Sequence, residues 1–228
     1  MDKLQYYGVG IPYLKIKKSP GKLIVLEGTD GVGRSTQVEL LKKYLEKESF
    51  AVSDTGLRRS ELTQKGIDTA KSGNTLNPIT TSLFYATDFA DRLENQIIPS
   101  LKAGFYVISD RYFYSIVARD VVRGLDSEWA RKVYGFAVIP DIVFYLRADI
   151  NTLVTRIVHG RGFDYWEAGM DIIDADNLYD SFCQYQTSMI DQFDVMAKEY
   201  KFHVIDANRS VADIHKDIKA GLEPILDR

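Results

Sequence analysis

The chain has 228 residues, 45% hydrophobic and 27% charged, a composition that excludes a disordered or collagen-like polymer and is long enough to bury its own core. The 29 Lys and Arg against 32 Asp and Glu leave a net charge of −3, which argues against a general nucleic-acid binder. No apolar run approaches the roughly 20 residues of a membrane span, and the N-terminus has no apolar signal core, so a cytoplasmic, enzyme-sized protein is expected.

Residues 1–20 read as an aromatic, Gly/Pro-containing N-terminal arm without a clear period; Lys15, Lys17 and Lys18 in it read as solvated charge. The domain proper is expected over 21–228. Its first strand is 22–26, a nearly continuous apolar run. A glycine-rich loop follows, and then a helix with Val38, Leu41 and Leu45 at helical spacing, widened by Leu40 and Tyr44. A second strand is expected at 50–53, followed by the pair Arg58-Arg59. Ile79, Leu83, Ala86, Ala90, Leu93, Ile97 and Leu101 make one long helical stripe. Strands at 105–109 and 142–146 are again nearly continuous, as in strands buried on both faces. Residues 159–176 carry glycines and charges and read as a loop. Leu178, Phe182, Tyr185, Met189, Phe193 and Met196 make another long stripe before a last strand at 202–205. Cys183 on that stripe is the sole cysteine, which excludes a disulfide framework, and His159, His203 and His215 are too scattered for a metal cluster. Strands alternating with helices predict a three-layer α/β fold, an open parallel five-stranded sheet flanked by helices. Ligands in such sheets bind beyond the carboxyl ends of the strands, here Glu27, Asp110, Arg147 and Asp206.

The loop Gly28-Thr29-Asp30-Gly31-Val32-Gly33-Arg34-Ser35-Thr36 matches the phosphate-loop template at both fixed glycines and at Ser35. Glycines let backbone N–H groups curl around an anion, and the helix beginning near Gly33 aims its positive end at the same place. Ser35 is the oxygen donor such a loop offers to Mg²⁺. Arg34 stands where the template has Lys; it keeps the charge but is bulkier and differently aimed.

Together with Asp110-Arg111-Tyr112 and Ser115, Pro140-Asp141, and the loop around Arg156, Arg161, Asp164 and Glu167, this ensemble resembles the thymidylate (dTMP) kinase family of P-loop nucleoside-monophosphate kinases over about residues 21–222. The resemblance implies the P-loop hydrolase fold, ATP and Mg²⁺, transfer of the γ-phosphoryl group to dTMP, and a homodimer built through the long helices. It implies that residues 28–36 and Arg156 hold ATP, and that Ser35 and Asp110 serve the metal. It gives Arg34, Asp110, Arg111 and Arg161 to the transfer step, and Asp30 and Arg58 to the acceptor's sugar and phosphate. Gly160 and Gly162 flank Arg161, as in a lid near 159–173.

The acceptor-base pocket departs from the family. Tyr85 falls on a stacking Phe and Phe89 on an Arg that bonds the base, with Arg92 one turn further on. Beyond Arg111 and Ser115, Arg119-Asp120 replaces a largely neutral pair, and Tyr165 and Trp166 stand where the family tends to place an arginine. Two alternatives therefore stay open: the same chemistry on another monophosphate or small phosphorylated acceptor, and an ATP-binding module without transfer.

Overall fold

The computed structural model describes residues 4–14, 19–73 and 77–226. The run Lys15, Lys17 and Lys18 lies outside them. Five parallel strands form one sheet in the order β2-β3-β1-β4-β5: β1 Lys22–Glu27, β2 Val52–Gly56, β3 Tyr106–Asp110, β4 Ile142–Arg147 and β5 His203–Asp206. Leu26 of β1 lies in register with Asp110 of β3, and Glu27 with Tyr145 of β4. Side chains alternate across the sheet. Leu23, Val25, Val107, Val143 and Tyr145 face one core, and Ile24, Leu26, Ile108, Phe144 and Leu146 face the other. The first core is closed by α3 (Pro78–Arg92), α5 (Phe113–Val122) and α8 (Leu178–Glu199), the second by α1 (Arg34–Lys47), α7 (Ile150–His159) and α9 (Val211–Leu222). The remaining helices are α2 (Gln64–Gly73), α4 (Ile98–Lys102) and α6 (Ser127–Val133).

Two expected strands shift. The second runs Val52–Gly56 rather than 50–53, because Phe50 packs on Tyr106 as an anchor ahead of the ladder, with ring centroids 4.6 Å apart. The edge strand then continues through polar Asp54 and Thr55, which carry no apolar signal. The last runs His203–Asp206, an edge strand with only Ile205 buried. The long stripe at 79–101 is not one regular helix. A π turn, Leu93–Ile97, joins α3 to α4 just before Pro99. Its inner members, from Ala86 on, are buried or half-buried, whereas Ile79 and Leu83 are 53% and 46% exposed.

The described part of the N-terminal arm is tied to the domain. Tyr7 N–H donates to Ala137 O at 3.1 Å, Ile139 N–H to Gln5 O at 2.8 Å, and Tyr6 bridges Val138. Tyr7 also sits among Phe113, Tyr114 and Tyr200. Among the described residues no helix is long and apolar enough to cross a membrane.

Candidate active site

The loop after β1 turns through three glycines in the left-handed half of backbone space: Gly28 (φ 147°), Gly31 (φ 81°) and Gly33 (φ 96°). A Cβ on Gly31 would lie 2.9 Å from Ile157 Cγ1, so α7 packs too closely for any side chain there. Gly33 is the opposite case: a Cβ there would meet nothing within 4 Å. It is the N-cap of α1, and no side chain caps that helix end. The start of α1 is therefore left without a side-chain cap, the arrangement that receives an anion.

Asp110 ends β3 beside this cradle. Its Oδ2 accepts from Ser35 Oγ at 3.1 Å and its Oδ1 from Arg34 Nε at 3.0 Å. Burial opposes the charge, but Arg34 and Arg111 hold the carboxyl below its ordinary pKa. A hydroxyl and a carboxylate side by side are hard oxygen donors, which fits Mg²⁺. Among the described residues no cluster of three or more His, Cys, Asp or Glu forms a metal site. Any ion here would complete its shell from phosphate and water. The Arg34 guanidinium folds back against the carbonyls of Gly28 and Thr29.

The next residue, Arg111, adopts φ 71°, unusual for a side-chain-bearing residue, and ion-pairs with Asp30. Arg119 reaches the other oxygen of Asp30 at 3.3 Å. Burial works against the Asp30 charge, yet the Arg111 and Arg119 guanidiniums keep its carboxyl far below the usual carboxylate range. Burial and the nearby Arg34 charge bring Arg111 down to about 10. Beneath them, fully buried Glu27 accepts from Tyr112 N–H at 2.7 Å and Ser115 Oγ at 2.6 Å, and so holds the start of α5. Its burial raises its pKa.

These groups open onto a cleft of about 640 Å³. One end is the phosphate loop with Asp110, Arg111, Arg58 and Arg161. The other is walled by three helix faces at i, i+3, i+4 spacing: Ile67, Ala70 and Lys71 of α2; Thr81, Phe84 and Tyr85 of α3; and Ile116, Arg119 and Asp120 of α5, with Arg123 at its C-cap. Trp166 closes this end, its Nε1–H donating to Lys71 O at 3.1 Å. Gln186 of α8 links segment 160–177 to the site, donating to Glu167 O at 2.7 Å and to Asp30 at 3.5 Å.

Of the residues singled out from sequence, Asp30 through Ser35, Thr36, Arg58, Tyr85, Asp110, Arg111, Arg119, Asp120 and Arg161 line the cleft. Arg161 pairs with Glu167, and Arg58 with Asp68. Several others do not line it. Phe89 is 0% exposed and packs on Tyr112 at 4.8 Å, so the expectation that it meets the acceptor is corrected: one turn beyond Tyr85 on the same face of α3, it lies past the cleft and inside the core. Arg92 does not replace it; it is buried in an ion pair with Asp88 at 3.0 Å. Ser115 is buried against Glu27 and Arg111, and reaches the cleft only through Arg111. Gly28 and Thr29, the first residues of the loop, do not line the cleft. Arg156 braces the loop, donating to Val32 O at 3.0 Å and Ala207 O at 2.8 Å. Of the strand-end charges, Arg147 pairs with Asp194, and Asp206 with Arg209, away from the cleft. Sequence reasoning missed Lys71, Phe84, Arg123 and Gln186. Only Arg123 left a signal, one turn beyond Arg119.

The family model described as thymidylate kinase matches residues 26–218. The chain is 42% identical over 209 residues to "Probable thymidylate kinase 2" of Saccharolobus solfataricus, covering 91% of this chain and 98% of the relative. It is 34% identical over 211 residues to "Probable thymidylate kinase" of Thermococcus onnurineus (88% and 96%), and 33% over 214 residues to that of Thermococcus kodakarensis (89% and 98%). With a parallel sheet, a phosphate cradle and an arginine-lined cleft in one domain, the chain belongs to the thymidylate kinase family.

Proposed function

We propose that this chain transfers the γ-phosphoryl group of ATP to dTMP, giving ADP and dTDP. The observation that carries this reading is one cleft with a phosphate cradle at one end and, at the other, a chamber with Tyr85 and Ile116 among its apolar lining. In the reaction the bond from the γ-phosphorus to the ADP oxygen breaks, and one forms to a phosphate oxygen of dTMP. That oxygen is already anionic near neutral pH, so the site needs no general base; it needs to hold two anions together. The loop N–H groups and Arg34 bind the donor's phosphates. Arg58 grips the acceptor phosphate. Arg111 and Arg161 stand where charge spreads over the passing phosphoryl group. Asp30, fixed by Arg111, Arg119 and Gln186, bounds the acceptor's sugar. A bound Mg²⁺, held by Ser35 and Asp110, would neutralise the phosphates' charge. The segment near 159–173 serves as the lid of the 21–228 domain, and the arm braces the far side of α5. We place the enzyme in the cytoplasm as a homodimer, with exposed Ile79 and Leu83 of α3 facing a second copy; light scattering of a monomer at working concentration would rule the dimer out.

The test is transfer from γ-labelled ATP to a panel of nucleoside monophosphates, with the product identified by mass. Transfer to dTMP well above the others is expected. The charged pair Arg119 and Asp120 favours one second reading, the same chemistry on another pyrimidine monophosphate, and a different preferred acceptor would select it.

A further inference from the structure

Four carboxylates line the cleft, and each has its partner: Asp30 has Arg111 and Arg119, Asp110 has Arg34, Glu167 has Arg161, and Asp120 has the Ser82 hydroxyl, which donates to it at 2.5 Å. Another carboxylate, Asp88 of α3, lies behind the wall and lines nothing. It is 0% exposed and takes four donors: the backbone N–H groups of Arg58 at 3.1 Å and Ser60 at 3.0 Å, the Thr63 hydroxyl at 3.4 Å, and Arg92 Nε at 3.0 Å. Three of these come from the turn between β2 and α2. Around them, Arg92 donates to Thr55 Oγ1 at 3.4 Å, and Asp91 accepts from Ser60 Oγ at 2.5 Å. Gln96 of the π turn accepts from Thr55 Oγ1 at 2.8 Å and donates to Asp54 O at 2.9 Å. The end of β2 and the turn after it are thus held from beneath by α3 and the π turn that follows it.

A buried ion pair is a poor way to fill a core, since apolar residues of like volume do as well or better. Asp88 and Arg92 supply what an apolar pair cannot, a set of charged acceptors for one turn. The turn needs them. Arg58 adopts φ 61°, in the left-handed region where glycine sits without strain and an arginine does not. A return to ordinary φ would redirect its Cβ, and the guanidinium with it. The side chain has little else to aim it. Among the described residues the Arg58 guanidinium meets one carboxylate, Asp68, and both groups are exposed, a contact worth little. The direction of Arg58 into the cleft is therefore set by its backbone.

We propose that Asp88, with Arg92 as its counter-charge, is a positioning residue for the acceptor: it holds Arg58 in a left-handed turn that aims the guanidinium at the acceptor's phosphate. The inference rests on the reading of Arg58 as the grip on that phosphate, and names what fixes the grip in place.

The experiment measures KM for dTMP and for ATP in the native protein, in Asp88→Asn, in Arg58→Ala and in the double variant. Asn keeps the size of Asp88 but sets an NH₂ group against one of its donors. Asp88→Asn should raise KM for dTMP about tenfold while KM for ATP holds. Arg58→Ala should raise KM for dTMP by at least as much. In the double variant, Asp88→Asn should add less than about twofold, because a residue that acts through Arg58 has nothing left to aim. Effects that multiply, or a rise for ATP equal to that for dTMP, would mean general support of the fold and overturn the proposal. Arg58→Gly tests the turn without touching the buried pair. It should melt no lower than the native protein, since glycine accepts this φ, while KM for dTMP rises as in Arg58→Ala. A lower melting temperature would show that Arg58 is not held against its own preference, and would overturn the proposal. An unchanged KM for dTMP in Arg58→Ala overturns the reading of Arg58 and this inference together. A raised KM there, with an unchanged one in Asp88→Asn, overturns this inference alone.

Discussion

The two ends of the cleft are built by different means. The phosphate end is made of consecutive residues and backbone: three glycines with positive φ, the open start of α1, and Asp110 at the adjoining strand end. Every carboxylate there is matched by an arginine. The base end is made of side chains from three helices, drawn from positions between 67 and 123, and its one carboxylate answers to a serine. Backbone and ion pairs fix the chemistry at the first end. At the second, single side chains on helix faces can change the ligand without disturbing the sheet. On the proposed reading, the reaction and the choice of acceptor are separable in this molecule.

Changes at the phosphate end should stop the reaction whatever the acceptor. Asp110→Asn removes the charge that faces Ser35 and Arg34. It should lower kcat about a thousandfold, about 4 kcal/mol of transition-state stabilisation, in a steady-state assay with dTMP. A loss below tenfold would remove Asp110 from the reacting centre.

Between the two ends, Asp88 and Arg92 form a fully buried pair under the turn after β2. Asp88 also accepts the backbone N–H groups of Arg58 at 3.1 Å and Ser60 at 3.0 Å, so it shapes the turn that presents Arg58. Asp88→Ala leaves Arg92 uncompensated and should cost about 3 kcal/mol in denaturant unfolding. It should also raise KM for the acceptor. An unchanged midpoint would show that the pair contributes little.

The smallest effect should appear at the base end, with the opposite sign. Asp120 has a folded pKa of about 6 against an ordinary 3.8. The folded state therefore binds more protons than the unfolded state between those values. Stability from this group is fully present below about pH 4 and is lost as pH rises through 6. Asp120→Asn should raise the melting temperature of the ligand-free protein at pH 7.5, by about 2 kcal/mol in stability, with the gain vanishing below pH 4. A drop in melting temperature at pH 7.5 would show that the carboxylate is stabilised in place.

The same division explains what could be read before folding. The loop 28–36 and the strand ends at Glu27 and Asp110 were legible because contiguous residues carry both the strand-to-helix switch and the glycines. Phe89 is misplaced from sequence because alignment fixes position along a helix but not where the cleft ends: it lies one turn beyond Tyr85 on the same face of α3, already inside the core. Lys71 and Gln186 left no trace, since α2 and α8 become neighbours of the site only once the sheet has ordered the helices around it. Glu27 was legible as a strand-end carboxylate, but its task, capping α5 beneath the site, depends on where Tyr112 and Ser115 place their N–H groups.

The separation of reaction from choice is tested most directly by measuring kcat/KM for dTMP and dUMP in the native enzyme and in Asp110→Asn. The account predicts that both acceptors slow by the same large factor, so their ratio is unchanged. A ratio that shifts severalfold would mean that the phosphate end also takes part in choosing the acceptor, and would contradict the account.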